Sequence, residues 1–255
     1  MNEYRDANNL PREEDFVLTE EDFLPAPKKS PSPMAAVPPL RFLNLPVWMA
    51  IGFAIASIAY WQNPGKFPLW VSQASLLKDH QYWKLFTALF THSDMLHLLS
   101  NLPLFLIFGW HLRAFFGLVI FPVLAVVAGA LANFLTVILY EEQTRLLGAS
   151  GMLYAMVALW LVYYVRFETA YRFWNKVMRA TGFALILLFP TTFQENVSYL
   201  AHFWGFICGM VLGALFFPIT SIQTDNFQAQ EPAPGETSRS GLQDSNGTTS
   251  TTVRR

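Results

Sequence analysis

Charge-free apolar runs, separated by short polar breaks, fill most of the chain. They extend from Leu43 to Trp61, Leu96 to Leu112, Leu118 to Tyr140, Leu146 to Val165, Ala180 to Phe193 and Val197 to Thr220. A helix rises about 1.5 Å per residue, so a run of roughly 20 residues crosses the hydrocarbon core of a bilayer. The pattern predicts six membrane-spanning helices. The fifth run is short, and Pro190 near its end would leave backbone carbonyls unpaired. Outside the runs the pattern stops. Residues 1–42 mix acidic residues with Pro25, Pro27, Pro31, Pro33, Pro38 and Pro39, without the charged start and short apolar core of a signal peptide. Residues 221–255 are rich in Ser, Thr, Gly and Gln. Neither segment can bury enough apolar surface to fold alone, so both are expected to be disordered tails around a core of residues 43–220.

Composition agrees: 53% of residues are hydrophobic and 14% charged, which describes an all-α polytopic membrane protein and not a soluble domain. A net charge of -1 gives no electrostatic case for nucleic acid. Cys208 is the sole cysteine, so one chain can build no disulfide framework. The basic residues assign the sides. Lys28, Lys29, Arg41, Arg113, Arg166, Arg172, Lys176 and Arg179 fall on the side of the termini, against Lys66, Lys78, Lys84 and Arg145 opposite. Both termini are therefore expected in the cytoplasm, with the plasma (cell inner) membrane as the expected location. The segment between the first two spans is then external, with Trp70, Tyr82 and Trp83 suited to the headgroup region.

Helical rise converts this topology into depth. His97 and Asn101 lie about 5 and 10 Å below Asp94, Ser150 about 7 Å below Arg145, and His202 about 10 Å below Glu195. Four polar side chains on three helices thus share one outer layer. Singly, each has an ordinary reading: a small contact residue for Ser150, an interhelical hydrogen bond for His202, packing for Asn101. Together they supply what a serine hydrolase needs, namely a nucleophile, a base and donors for an oxyanion. Gly151, Ala155 and Ala158 make a small-residue stripe on the fourth span, and Gly205, Gly209 and Gly213 another on the sixth. Close packing of the two stripes would bring His202 towards Ser150, with Tyr154 stacked on its ring. His97 and Asn101 share a face and can both donate to an oxyanion, as can the Ser150 N–H. His92 and Ser93 are expected to keep the cavity wet. No carboxylate lies at the depth of His202, which leaves a Ser/His dyad. Zinc on His92, His97 and His202 is the competing use, but no H-E-x-x-H pair or neighbouring carboxylate accompanies them, so no metal is expected. His80 and His111 lie away from the layer.

These residues resemble the rhomboid family. The matches are His97-Leu98-Leu99-Ser100-Asn101 in the second span, Gly148-Ala149-Ser150-Gly151 at the head of the fourth, and Ala201-His202 with Gly205 and Gly209 in the sixth. The resemblance implies a six-helix rhomboid-like bundle acting as an intramembrane serine endopeptidase. Ser150 and His202 would be catalytic, His97 and Asn101 would stabilise the oxyanion, and Gly148, Gly151, Tyr154, Gly205 and Gly209 would support them. It also implies single-span membrane proteins as substrates, admitted past the fifth helix, and no cofactor. The chain departs from the family pattern at Lys84, where Trp-Arg is usual, and at Arg113 and Trp204. A rhomboid-like protein that escorts membrane clients without cutting them is the alternative, and a small transporter with a polar relay ranks behind both.

Overall fold

A computed structural model describes residues 32–192, 197–223 and 225–228. Eight α-helices carry the architecture: α1 (Asn44–Gln62), α2 (Gln73–Leu77), α3 (Lys84–Thr87), α4 (Met95–Leu118), α5 (Ala125–Val137), α6 (Ser150–Phe167), α7 (Phe173–Thr192) and α8 (Tyr199–Phe216). No β-strand forms among the described residues. Four helical stretches are long and apolar enough to cross a membrane, Leu40–Gln62, Met95–Val137, Ser150–Phe167 and Tyr199–Phe216. The second of them reverses direction inside itself. Helical geometry fails at Gly117 (φ 81°) and again at Phe121. The Phe121 ring then packs back against Phe105, with centroids 5.7 Å apart. Further on, the Asn133 side chain donates to the carbonyl of Leu85, which precedes α4. α4 and α5 therefore run in opposite senses.

Local chemistry sets the helix starts nearest the polar layer. Asp94 caps α4 by accepting from the His97 N–H at 2.8 Å, and Ser198 caps α8 by accepting from Ala201 N–H at 3.1 Å. α6 begins at Ser150, four residues later than the apolar run suggests. Leu146 instead exchanges both backbone hydrogen bonds with Val71 of the external segment, and Gly148 adopts φ 124°, which ends any continuous helix there. α7 differs in the other direction. The sequence puts the fifth span at 180–193, but the helix starts at Phe173 and takes in Lys176 and Arg179. Lys176 reaches the Val165 carbonyl and Arg179 lies over the Tyr171 ring, so both charges leave the apolar face along their stems. Phe193 and Glu195 lie outside the described residues.

α6 is the hub, packed against α4, α5, α7 and α8. Its Met152, Leu153 and Met156 join Phe53, Phe105, Phe108, Phe115 and Phe121 in the main buried cluster. The ends of the core reach past the expected limits of 43 and 220. Ser32 donates to the buried Glu168 carboxylate at 2.6 Å. Asn226 donates to the Ala114 carbonyl and accepts from Arg41, while Phe227 stacks on Phe115. Residues 1–31 and 229–255 lie outside the described part.

Candidate active site

A close contact between α6 and α8 frames Ser150. A Cβ built on Gly205 of α8 would sit 2.0 Å from the Gly151 carbonyl oxygen of α6, and one on Gly209 would sit 2.4 Å from that of Ala155. Glycine is required at both, since α8 rests on the backbone of α6. The two stripes meet as their spacing suggests. One turn above Gly205, the His202 ring stacks on Tyr154 of α6, with centroids 4.2 Å apart and planes at 11°. His202 is 4% exposed, and neither ring nitrogen has a hydrogen-bond partner. Ser150 Oγ and His202 Nε2 are thus not bonded to each other.

His97 closes the other side. Its ring edge lies against Gly148, where a Cβ would meet Cε1 at 2.7 Å and Nε2 at 3.1 Å. Gly148 is therefore fixed twice, by its positive φ and by this contact. A cavity of about 420 Å³ opens beside these residues, lined by Ser93, His97, Gly148, Ser150, Ala201 and Arg145 among others. Asn101 and His202 are not part of that lining. Asn101 lies one turn below His97 and is 1% exposed, with Nδ2 unpartnered. His97 Nε2 is also buried and unpartnered.

The proton positions follow from the hydrogen bonds. Ser93 Oγ donates to Asp94 Oδ2 at 2.7 Å and lies 3.1 Å from His97 Nδ1. A hydroxyl has one proton to give, so Nδ1–H of His97 is the donor in the second bond. Neutral His97 then has a bare lone pair at Nε2, and Nε2 donates only from the doubly protonated ring. Asp94 is placed to balance that charge. Its carboxyl is held below the usual carboxylate range, first by the His97 N–H and then by the Ser93 hydroxyl.

His92 plays a part that sequence reasoning missed. It does not wet the cavity, being fully buried behind it. Nε2 accepts from the Ala149 N–H at 3.3 Å, immediately before Ser150. Nδ1–H must then donate to Ser57 Oγ of α1, 3.2 Å away. The same Ser57 oxygen accepts the His92 backbone N–H. α1 thereby holds the loop that presents Ser150. The available signal was Ser57 itself, a hydroxyl in a charge-free run. Tyr140 and Ser198, whose hydroxyls are 2.6 Å apart beside the cavity, were likewise unforeseen. His80 is exposed and near Tyr82, and His111 bonds the Ile107 carbonyl, both away from the site. Lys84 lies over the rings of Trp70 and Trp83, while the Trp204 indole N–H is buried without a partner.

Fold and site together define an integral membrane protein with a buried polar layer at one end of a helical bundle. The family model for the Rhomboid domain matches residues 79–219, more than half of the chain. The chain belongs to the rhomboid family. Curated relatives include the Rhomboid protease GlpG of Haemophilus influenzae, 28% identical over 141 residues (53% of this chain, 70% of that protein). RHOMBOID-like protein 5 of Arabidopsis thaliana is 27% identical over 54% of this chain. Human Rhomboid-related protein 3 is 26% identical over 67%. The chain spans 45% of the length of that plant relative and 48% of that of the human one.

Proposed function

We propose that the chain is an intramembrane serine endopeptidase of six membrane-spanning helices, with α7 as the fifth, both termini cytoplasmic and the plasma membrane as its site. The observation that carries this reading is a set of unpartnered polar atoms on the helices that flank Ser150: His97 Nε2, whose ring shares the cavity wall with Ser150, His202 Nε2 of α8 and Asn101 Nδ2 of α4 are all buried with no protein hydrogen bond. Buried polar groups left open at such cost suit a ligand that completes them. Substrate unwinds into the cavity as an extended strand. His202 takes the Ser150 proton as Oγ attacks the scissile carbonyl, through a hydrogen bond that forms when substrate seats the two groups. The Ser150 N–H at the head of α6, Asn101 Nδ2 and protonated His97 receive the oxyanion. His202 returns its proton to the leaving amine, and water, deprotonated by the same ring, releases the acyl group. Tyr154 keeps the imidazole plane aligned through both steps. The substrates proposed are single-span membrane proteins.

The test is labelling by a serine-directed fluorophosphonate. The wild-type chain in detergent should be labelled and should cut a tagged single-span substrate; Ser150→Ala should do neither. Equal labelling of both proteins, with no cut product, would leave a client-binding role in place of proteolysis.

A further inference from the structure

Among the described residues, the cavity beside Ser150 has one ionised residue of fixed charge in its wall. Arg145 lines it together with Tyr140, Thr144 and Ser198, and among the described residues no Asp, Glu or Lys does so. The guanidinium Cζ lies 4.6 Å from the centroid of the Trp70 ring. Stacking on an aromatic face holds the planar fork and leaves its N–H edges available for a bidentate contact. The cations of the external segment are placed differently: Lys66, exposed with Nζ 5.5 Å from the Phe67 ring centroid, is not in the cavity wall. Lys78 pairs with Glu142, and Lys84 is buried over Trp70 and Trp83, within the field of Asp79. Arg145 is exposed and has no carboxylate partner among the described residues. A stacked, unpaired arginine in the wall of the same cavity as the nucleophile is complementary to a carboxylate that arrives with the substrate.

We infer that Arg145 reads an acidic side chain close to the cut, so that the preferred substrates are membrane segments carrying Asp or Glu beside the scissile bond. This rests on the proteolytic reading above and names its substrate class. An extended substrate advances about 3.3 Å per residue, so within this cavity the carboxylate sits only a few residues from the attacked carbonyl. Because the guanidinium is open to water, the preference is modest, about 5-fold in kcat/KM, and not the larger factor of a desolvated pair. It appears mainly in KM, since the contact forms before the chemical step and persists through it.

The experiment uses the full chain in zwitterionic micelles and in phosphatidylcholine vesicles with and without phosphatidylglycerol. Matched single-span substrates carry Asp, Asn or Lys, moved one residue at a time along both sides of the cut. The wild type should favour Asp over Asn at one or two adjacent positions; Arg145→Gln should erase the ratio, and Arg145→Glu should invert it in favour of Lys. Ratios within one protein cancel any loss of folded enzyme. An Asp/Asn ratio equal in wild type and Arg145→Gln would overturn the inference. So would rates that follow phosphatidylglycerol content and ignore substrate charge, which would make Arg145 a headgroup contact. If the wild type cuts no substrate in either setting, proteolysis itself fails and takes this assignment with it.

Discussion

At the scale of single residues, the site depends on where protons sit. The Asp94–Ser93–His97 chain of hydrogen bonds commits Nδ1–H of His97 to Ser93, so in the proposed mechanism His97 helps an oxyanion as a cation that Asp94 balances. Asn at 94 can still cap α4 through its side-chain oxygen but brings no charge. Asp94→Asn should therefore keep its melting temperature within a few degrees while turnover falls about 10-fold, measured on one sample. Loss of a full oxyanion donor costs about 100-fold or more, and a partly wet site falls below that. His92 gives a second prediction. Burial, and next the nearby His97, push its imidazole down to about 3 against an opposing pull from Asp94, whereas a free histidine titrates near pH 6.5. Between those values the unfolded chain binds a proton that the folded chain refuses. The contribution of neutral His92 is thus complete above about pH 6.5 and is lost as pH falls towards 3. Melting temperature should drop over this window. His92→Gln, which can still accept from Ala149 and donate to Ser57, should show a shallower drop.

At the scale of elements, the α6–α8 contact decides whether the proposed nucleophile, Ser150, and the proposed base, His202, meet. With 2.0 Å between a Gly205 Cβ and the Gly151 carbonyl, even one methyl must separate the helices, in a medium with no hydrophobic force to restore them. Overpacking commonly costs about 1 to 3 kcal/mol, and a shift of about 1 Å between reacting groups costs roughly 100-fold in rate. Gly205→Ala should lose both melting temperature and turnover. Gly213→Ala, whose Cβ finds its nearest neighbours in Val162 side-chain atoms at 3.3 Å or more, should lose stability first and activity less. This contact was legible in the sequence because four-residue glycine spacing has one geometric meaning on a helix. The start of α6 was not, since Leu146 is as apolar as a span residue and its pairing with Val71 is a long-range event. α7 was misjudged for a related reason: a count of uncharged residues cannot see Lys176 and Arg179 reaching out of the apolar face along their own stems.

At the scale of the whole molecule, the segment before α1 and the described segment after α8 close over one end of the bundle. Arg41 donates to the Asn226 carbonyl, Asn226 bonds the Ala114 carbonyl and Phe227 stacks on Phe115. A stop after Ser221 removes these contacts far from Ser150, so it should lower stability by about 1 to 2 kcal/mol in a thermal melt while kcat at low temperature stays near wild type. The bundle and its polar layer could be read from residue periodicity and depth. The tie between α1 and the Ser150 loop could not, because Ser57 and His92 are 35 positions apart and neither carries a pattern of its own. The α6–α8 contact has one more consequence, for heredity. Every single-base change that replaces a glycine codon by that of another amino acid adds a Cβ, and neither Gly205 nor Gly209 has room for one. No stepwise mutational path through an intermediate residue exists at these two positions. In a saturating substitution library selected for cleavage they should tolerate as little as Ser150, although neither touches the reacting atoms, and the gene would carry its strictest constraints on residues with no side chain at all.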